Sequence, residues 1–132
     1  MAAAWGISTY LVNKLLDHIC RNVAYTPPAT VYAKMHTGIA GAAGTANASS
    51  VTTRYACSFA AAASGSISQS NTPEHTLGAT ESIAGVSFWD TPGPSGGNFM
   101  WSSAATVSKS GASGDIIRIN SDTLAFGPLA SD

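Results

Sequence analysis

Val51-Thr52-Thr53-Arg54-Tyr55-Ala56-Cys57-Ser58-Phe59 alternates with period two. Val51, Thr53, Tyr55, Cys57 and Phe59 fall on one side, and Thr52, Arg54, Ala56 and Ser58 on the other. Successive side chains of a strand point to opposite faces, so this stretch predicts a strand with Tyr55, Cys57 and Phe59 toward a core. The same reading extends outward in both directions. Upstream, 29–36 alternates Val31, Ala33 and Met35 against Tyr32, Lys34 and His36. Downstream, short β-like runs recur at 66–70, 76–80, 82–89, 98–107, 115–120 and 123–126. Turn-forming clusters separate them, at 38–50, 71–73, 91–97 and 110–114. Many short strands with regular turns and no alternating helices predict a mainly β chain, a β-sandwich or jelly-roll-like domain. The segment 38–50 is almost entirely Gly, Ala, Ser, Thr and Asn. It has little apolar surface with which to order itself.

Ahead of the strands stands one amphipathic helix. From Ser8 to Arg21, Leu11, Val12, Leu15, Leu16 and Ile19, with Val23 beyond, recur at helical spacing. Ser8 or Thr9 can cap its start. Asp17 can pair with Lys14 and with Arg21 on the polar side. Asn22 suits a left-handed cap, and Thr26-Pro27-Pro28 forbids continuation. The expected organisation is a single domain over 1–132, with an N-terminal arm and helix over 1–25 and the β-sandwich over 29–132.

Composition bears on the partners. Only 10% of the 132 residues are charged, against roughly 25% in a typical soluble domain. The formal net charge is −1. Such a surface repels its neighbours weakly and suits permanent packing against them. Lys14, Arg21, Lys34, Arg54, Lys109 and Arg118 are scattered, so the clustered positive charge that phosphates require is missing, and nucleic acid is not expected as a partner. The opening Met1–Gly6 has no basic run, and the next stretch carries Lys14, Asp17 and Arg21. Neither a signal peptide nor a membrane span is expected. Cys20 and Cys57 have no metal spacing and read as two buried free thiols.

Catalytic chemistry finds no foothold. His18, His36 and His75 form no HExxH or paired motif, and no metal site or cofactor is expected. No G-x-S-x-G elbow is present. Glu74 and Glu81 are seven positions apart across a strand-like run, a poor basis for a glycosidase pair. No catalytic residue is assigned. The aromatics say more. Phe88-Trp89 and Phe99-Met100-Trp101 flank the turn 91–97, as a hairpin with bulky residues at its base. They fill a core, or Trp89, Phe99 and Trp101 anchor a partner surface. With Leu11, Val12, Leu15, Leu16 and Ile19 of the helix they are the candidate interface residues.

Two blocks carry a family resemblance: Tyr10-Leu11-Val12-Asn13-Lys14-Leu15-Leu16-Asp17-His18 and Ala24-Tyr25-Thr26-Pro27-Pro28-Ala29-Thr30-Val31-Tyr32. In order after them come His36-Thr37-Gly38, Gly44-Thr45-Ala46-Asn47, Thr53-Arg54, Trp89-Asp90, Gly96-Gly97-Asn98-Phe99-Met100-Trp101 and Gly114-Asp115. The whole resembles small tailed-bacteriophage proteins labelled tail fibre or minor tail proteins. The departures are the small run Ala60-Ala61-Ala62-Ala63 and Cys20 at the helix end. The resemblance implies a non-enzymatic structural protein on the virion exterior, made in the cytoplasm of the bacterial host. Its expected partners are itself, as a homo-oligomer with a trimer as first expectation, and other capsid or tail proteins. A host surface glycan is a further possible partner. Compact size and the lack of a coiled coil or repeat favour capsid decoration, which bridges neighbouring capsomers. The family label favours a short tail fibre or minor tail protein.

Overall fold

The computed structural model describes residues 2–131. It is mainly β, with one N-terminal helix and antiparallel sheets in a sandwich-like arrangement. The helix α1 spans Thr9–Cys20. The strands are β1 (Val31–His36), β2 (Tyr55–Cys57), β3 (Ser66–Ser68), β4 (Glu74–Thr76), β5 (Glu81–Trp89), β6 (Phe99–Gly111), β7 (Ile116–Arg118) and β8 (Thr123–Ala125).

The ends of α1 follow from its sequence. The Ser8 hydroxyl accepts the Leu11 N–H and closes the first turn. At the other end Asn22 sits at φ 55, and the Arg21 and Val23 N–H groups both return to the Asp17 carbonyl. Arg21 bonds the Asp17 carboxylate at 3.1 Å. Lys14 does not take up Asp17 as its partner; its ammonium lies over the Tyr10 ring instead.

The principal sheet has strand order β2-β1-β5-β6. Register fixes its two faces. Ala33 lies opposite Phe88, which lies opposite Trp101, and Met35 lies opposite Val86. These side chains form one apolar face, on which Phe88 and Trp101 stack at 4.5 Å. The two small sheets, β3-β8 and β4-β7, form the layer above it. Tyr55 meets His75 edge-on at 4.4 Å, and His75 Nε2 donates to the Ala33 carbonyl at 3.3 Å. Leu77 and Ile119 join the same core, and Leu11 of α1 enters it from the side. The alternation around Tyr55 therefore resolves as expected: Tyr55, Cys57 and Phe59 all pack on the core. The regular ladder is shorter than the alternation, three residues long, and Arg54 is buried rather than exposed.

The second face carries Lys34, His36, Ser87 and Ser102. The loop 37–50 lies against it, and partners outside the loop supply the order that 38–50 has little means to reach alone. The loop is fixed by polar bonds rather than by apolar burial. The Thr37 N–H reaches the Asn47 carbonyl at 2.8 Å, and the Ala46 N–H reaches the Ala40 carbonyl at 2.9 Å. Asn47 Nδ2 donates to the Ile39 carbonyl, while the Ser49 and Ser50 hydroxyls and the Ser50 N–H all donate to the Glu81 carboxylate. The Phe99 ring lies so close to Gly44, at φ +70, that a Cβ there would fall 2.5 Å from it.

An N-terminal arm adds to the edge of β6. Ile7 pairs antiparallel with Trp101. The Ser8 N–H donates to the Met100 carbonyl and the Ser102 N–H to the Gly6 carbonyl, both at 2.8 Å. Trp5 lies over Gly85, where a side chain would collide with the indole at 2.5 Å. Beyond the arm, residues 105–108 stand out of the β5–β6 ladder as a wide bulge.

Candidate functional site

Chemistry needs reactive groups brought together and open to a substrate. The closest approach to that is on the second face of the principal sheet. His36 Nε2 is 2.7 Å from Ser87 Oγ, and Trp89 Nε1 donates to the same hydroxyl at 2.8 Å. A carbonyl can only accept, so the contact of His36 Nδ1 with the Ala46 carbonyl at 2.8 Å places the proton on Nδ1. The Ser87 hydroxyl then donates to Nε2. The pair resembles a serine–histidine dyad in bonding alone, because both residues are fully buried beneath the loop 37–50. Burial lowers the affinity of His36 for a proton; the Ala46 carbonyl opposes this and Lys34 adds to it. The node clamps a loop to a sheet.

Arg54 secures the adjoining turn. Its guanidinium stacks on Trp89 at 3.9 Å and donates to the Thr91 hydroxyl and the Gly96 carbonyl, each at 2.9 Å. Glu74 is bound to Arg118, and Glu81 is enclosed by Ser49 and Ser50, so each carboxylate has a local partner. Among the described residues no three His, Cys, Asp or Glu side chains gather as a metal site. No helix among them is long and apolar enough to cross a membrane.

The candidate interface residues divide sharply. Leu11, Trp89, Phe99 and Trp101 are buried in the chain's own structure. The hairpin aromatics thus serve as filling and not as surface anchors: Trp101 stacks within the core and its Nε1 donates to Asp122, while Trp89 lies between Arg54 and Phe99. On α1 the exposure rises toward the C-terminal end. Val12 and Leu15 are half-buried, Leu16 is 54% exposed and Ile19 75%. With Ile7 and Phe126 these four side chains line an apolar recess of about 330 Å³. Val23 is also exposed. Sequence periodicity identified the helical wall of this recess. It missed Phe126, which the β3–β8 pairing brings in from the far end of the chain.

The cysteines differ from the expectation in one respect. Cys57 is buried, and burial pushes its thiol up to about 12. Cys20 is exposed at the end of α1, since only the start of the helix docks on the core.

A second cleft, of about 360 Å³, opens between the outer half of β6 and the β7–β8 segment. Met35, Ile83 and Ile119 form its floor, and Lys109, Arg118 and Asp122 are among its lining residues.

A family model described as podophage GP4 fiber I protein gp80 matches residues 6–127. No curated protein matches the chain. The matched span takes in the β6-pairing end of the arm, the helix, both faces of the principal sheet and the covering strands. The chain belongs to the podophage GP4 fiber I protein gp80 family and is a structural protein of a phage virion.

Proposed function

We propose that the protein is a non-enzymatic subunit of a short fibre on the exterior of a podophage particle. It joins neighbouring virion proteins through the apolar recess on α1. That recess is the observation that carries the reading. Leu16 and Ile19 are large apolar groups left largely in water beside Phe126, and covering what remains exposed of each is worth roughly 1–2 kcal/mol. Compact size had favoured capsid decoration; the family description, a fibre protein, supports the fibre reading better. The sealed His36–Ser87 pair and the locally bound carboxylates support a role without catalysis.

The test is imaging of phage particles whose copy of this protein carries an electron-dense tag. Tags on the fibres are expected. Tags spread over the head surface would restore the decoration reading, and particles without tags would remove the virion-exterior assignment. Incubation of the purified protein with host surface polysaccharide should release no sugar.

A further inference from the structure

The N-terminal segment is a continuous unit joined to the sheets by a short linker. Its arm and helix, residues 2–23, touch the rest of the chain by one face. The contacts are the two backbone hydrogen bonds to β6, the Gly6 N–H donating to the Ser102 hydroxyl at 3.2 Å, Trp5 over Gly85, the burial of Leu11, and the packing of Ile7, Tyr10 and Leu15 on the core. The linker that follows, residues 24–30, makes no hydrogen bond among the described residues, touches the core through the half-buried Tyr25, and contains Pro27-Pro28. Seven extended residues reach about 23 Å, enough to carry the helix to a neighbour's docking site. Every contact the segment makes at home is available, unchanged, on a second copy.

The position of the exposed apolar residues decides between staying and exchanging. The half of α1 far from the linker is docked, through Tyr10, Leu11 and Leu15. The half next to the linker is wet: Leu16, Ile19 and Val23. When two chains exchange a terminal segment, the docking contacts stay the same, and the new contact forms where the linkers cross. That is where these three side chains stand. The rigid Pro27-Pro28 also limits how sharply the linker can fold back. We infer that in the assembled fibre the arm and α1 dock on a neighbouring copy of the chain, with Leu16, Ile19 and Val23 packed together at the crossing.

This inference rests on the fibre reading, and its test is separable from it. Gly6→Cys and Ser102→Cys, placed together in a Cys20→Ser background, put two thiols opposite each other across the arm–β6 pairing. A Cβ on Gly6 meets nothing within 4 Å, and cysteine is nearly isosteric with Ser102. The assembled protein is bridged with a short bis-maleimide and run on a denaturing gel. Exchange predicts covalent multimers; bonds confined within single chains overturn it. As a second measure, Ile19→Glu, at an exposed site that folding does not use, should weaken self-association by about tenfold or more. Unchanged association would also overturn the exchange. Tagged fibres containing only within-chain bonds would keep the fibre reading and remove the exchange. Multimers from a protein located elsewhere on the particle would do the reverse.

Discussion

His75 stands in the core with Nδ1 unpartnered and Nε2 spent on the Ala33 carbonyl. Burial lowers its pKa from 6.5 to about 4, the carbonyl opposing only in part. The folded protein therefore refuses a proton that the unfolded chain accepts below 6.5. Stability is complete above 6.5 and falls as the pH drops toward 4. The gap between those values is worth about 3 kcal/mol. His36 is displaced in the same direction and adds to the loss. Thermal melts between pH 7 and pH 4 should record a steep decline for the native protein. His75→Gln keeps an N–H for Ala33 but cannot titrate, and should flatten most of that decline. An equally steep decline in the variant would show that His75 is not its source. None of this was legible in the sequence, where His75 follows Glu74 in what reads as a turn. The edge of Tyr55 and the floor of β1 enclose it only once three distant segments meet.

At the scale of elements, α1 is two surfaces on one helix. Leu11 is 6% exposed and Leu16 54%. Leu11→Ala should cost about 3 kcal/mol by leaving a cavity beside the core. Leu16→Ser should change monomer stability by less than about 0.5 kcal/mol. Denaturant titrations of the two variants check this split, and equal losses would mean that the whole stripe docks. Periodicity gives the stripe but cannot say which turn of it faces home, because that depends on where β6 ends. The loop 37–50 teaches the converse. Composition alone gives it little reason to order by itself, since it offers little apolar surface. Its order comes from its own polar bonds and from residues elsewhere in the chain, among them Glu81, which burial pushes up in pKa but which Ser49 and Ser50 hold below the ordinary carboxylate value. Glu81→Gln should leave the sheet folded and expose the amides of 46–50 to rapid hydrogen exchange. Retained protection there would assign the loop's order to His36 instead.

The whole molecule has little charge and uses less of it. Two salt bridges appear among the described residues, both on exposed side chains. Such pairs contribute at most about 1 kcal/mol and are screened by salt. The melting temperature and the degree of self-association should therefore barely move between about 0.05 and about 0.5 M sodium chloride. A marked loss of association with salt would point to an electrostatic interface in place of the apolar one. The β class was readable because alternation and turn residues are local signals, the first carried by Val51–Phe59 and the second by clusters such as 38–50 and 91–97. The pairing of β3 with β8, which carries Phe126 to the helix, joins segments more than fifty residues apart and leaves no local trace.

The arm bears on how the protein behaves under tension. It is fastened to β6 by two backbone hydrogen bonds and to β5 by one indole, over Gly85. A pull on the N-terminus meets those bonds before it meets the sheet. Once they part and Leu11 is drawn from the core, residues 2–30 can pay out as much as about 100 Å of chain while the β layers stay paired. A particle dragged by its fibres would stretch its tethers, absorb the jolt in a segment that can re-dock, and keep the folded body intact.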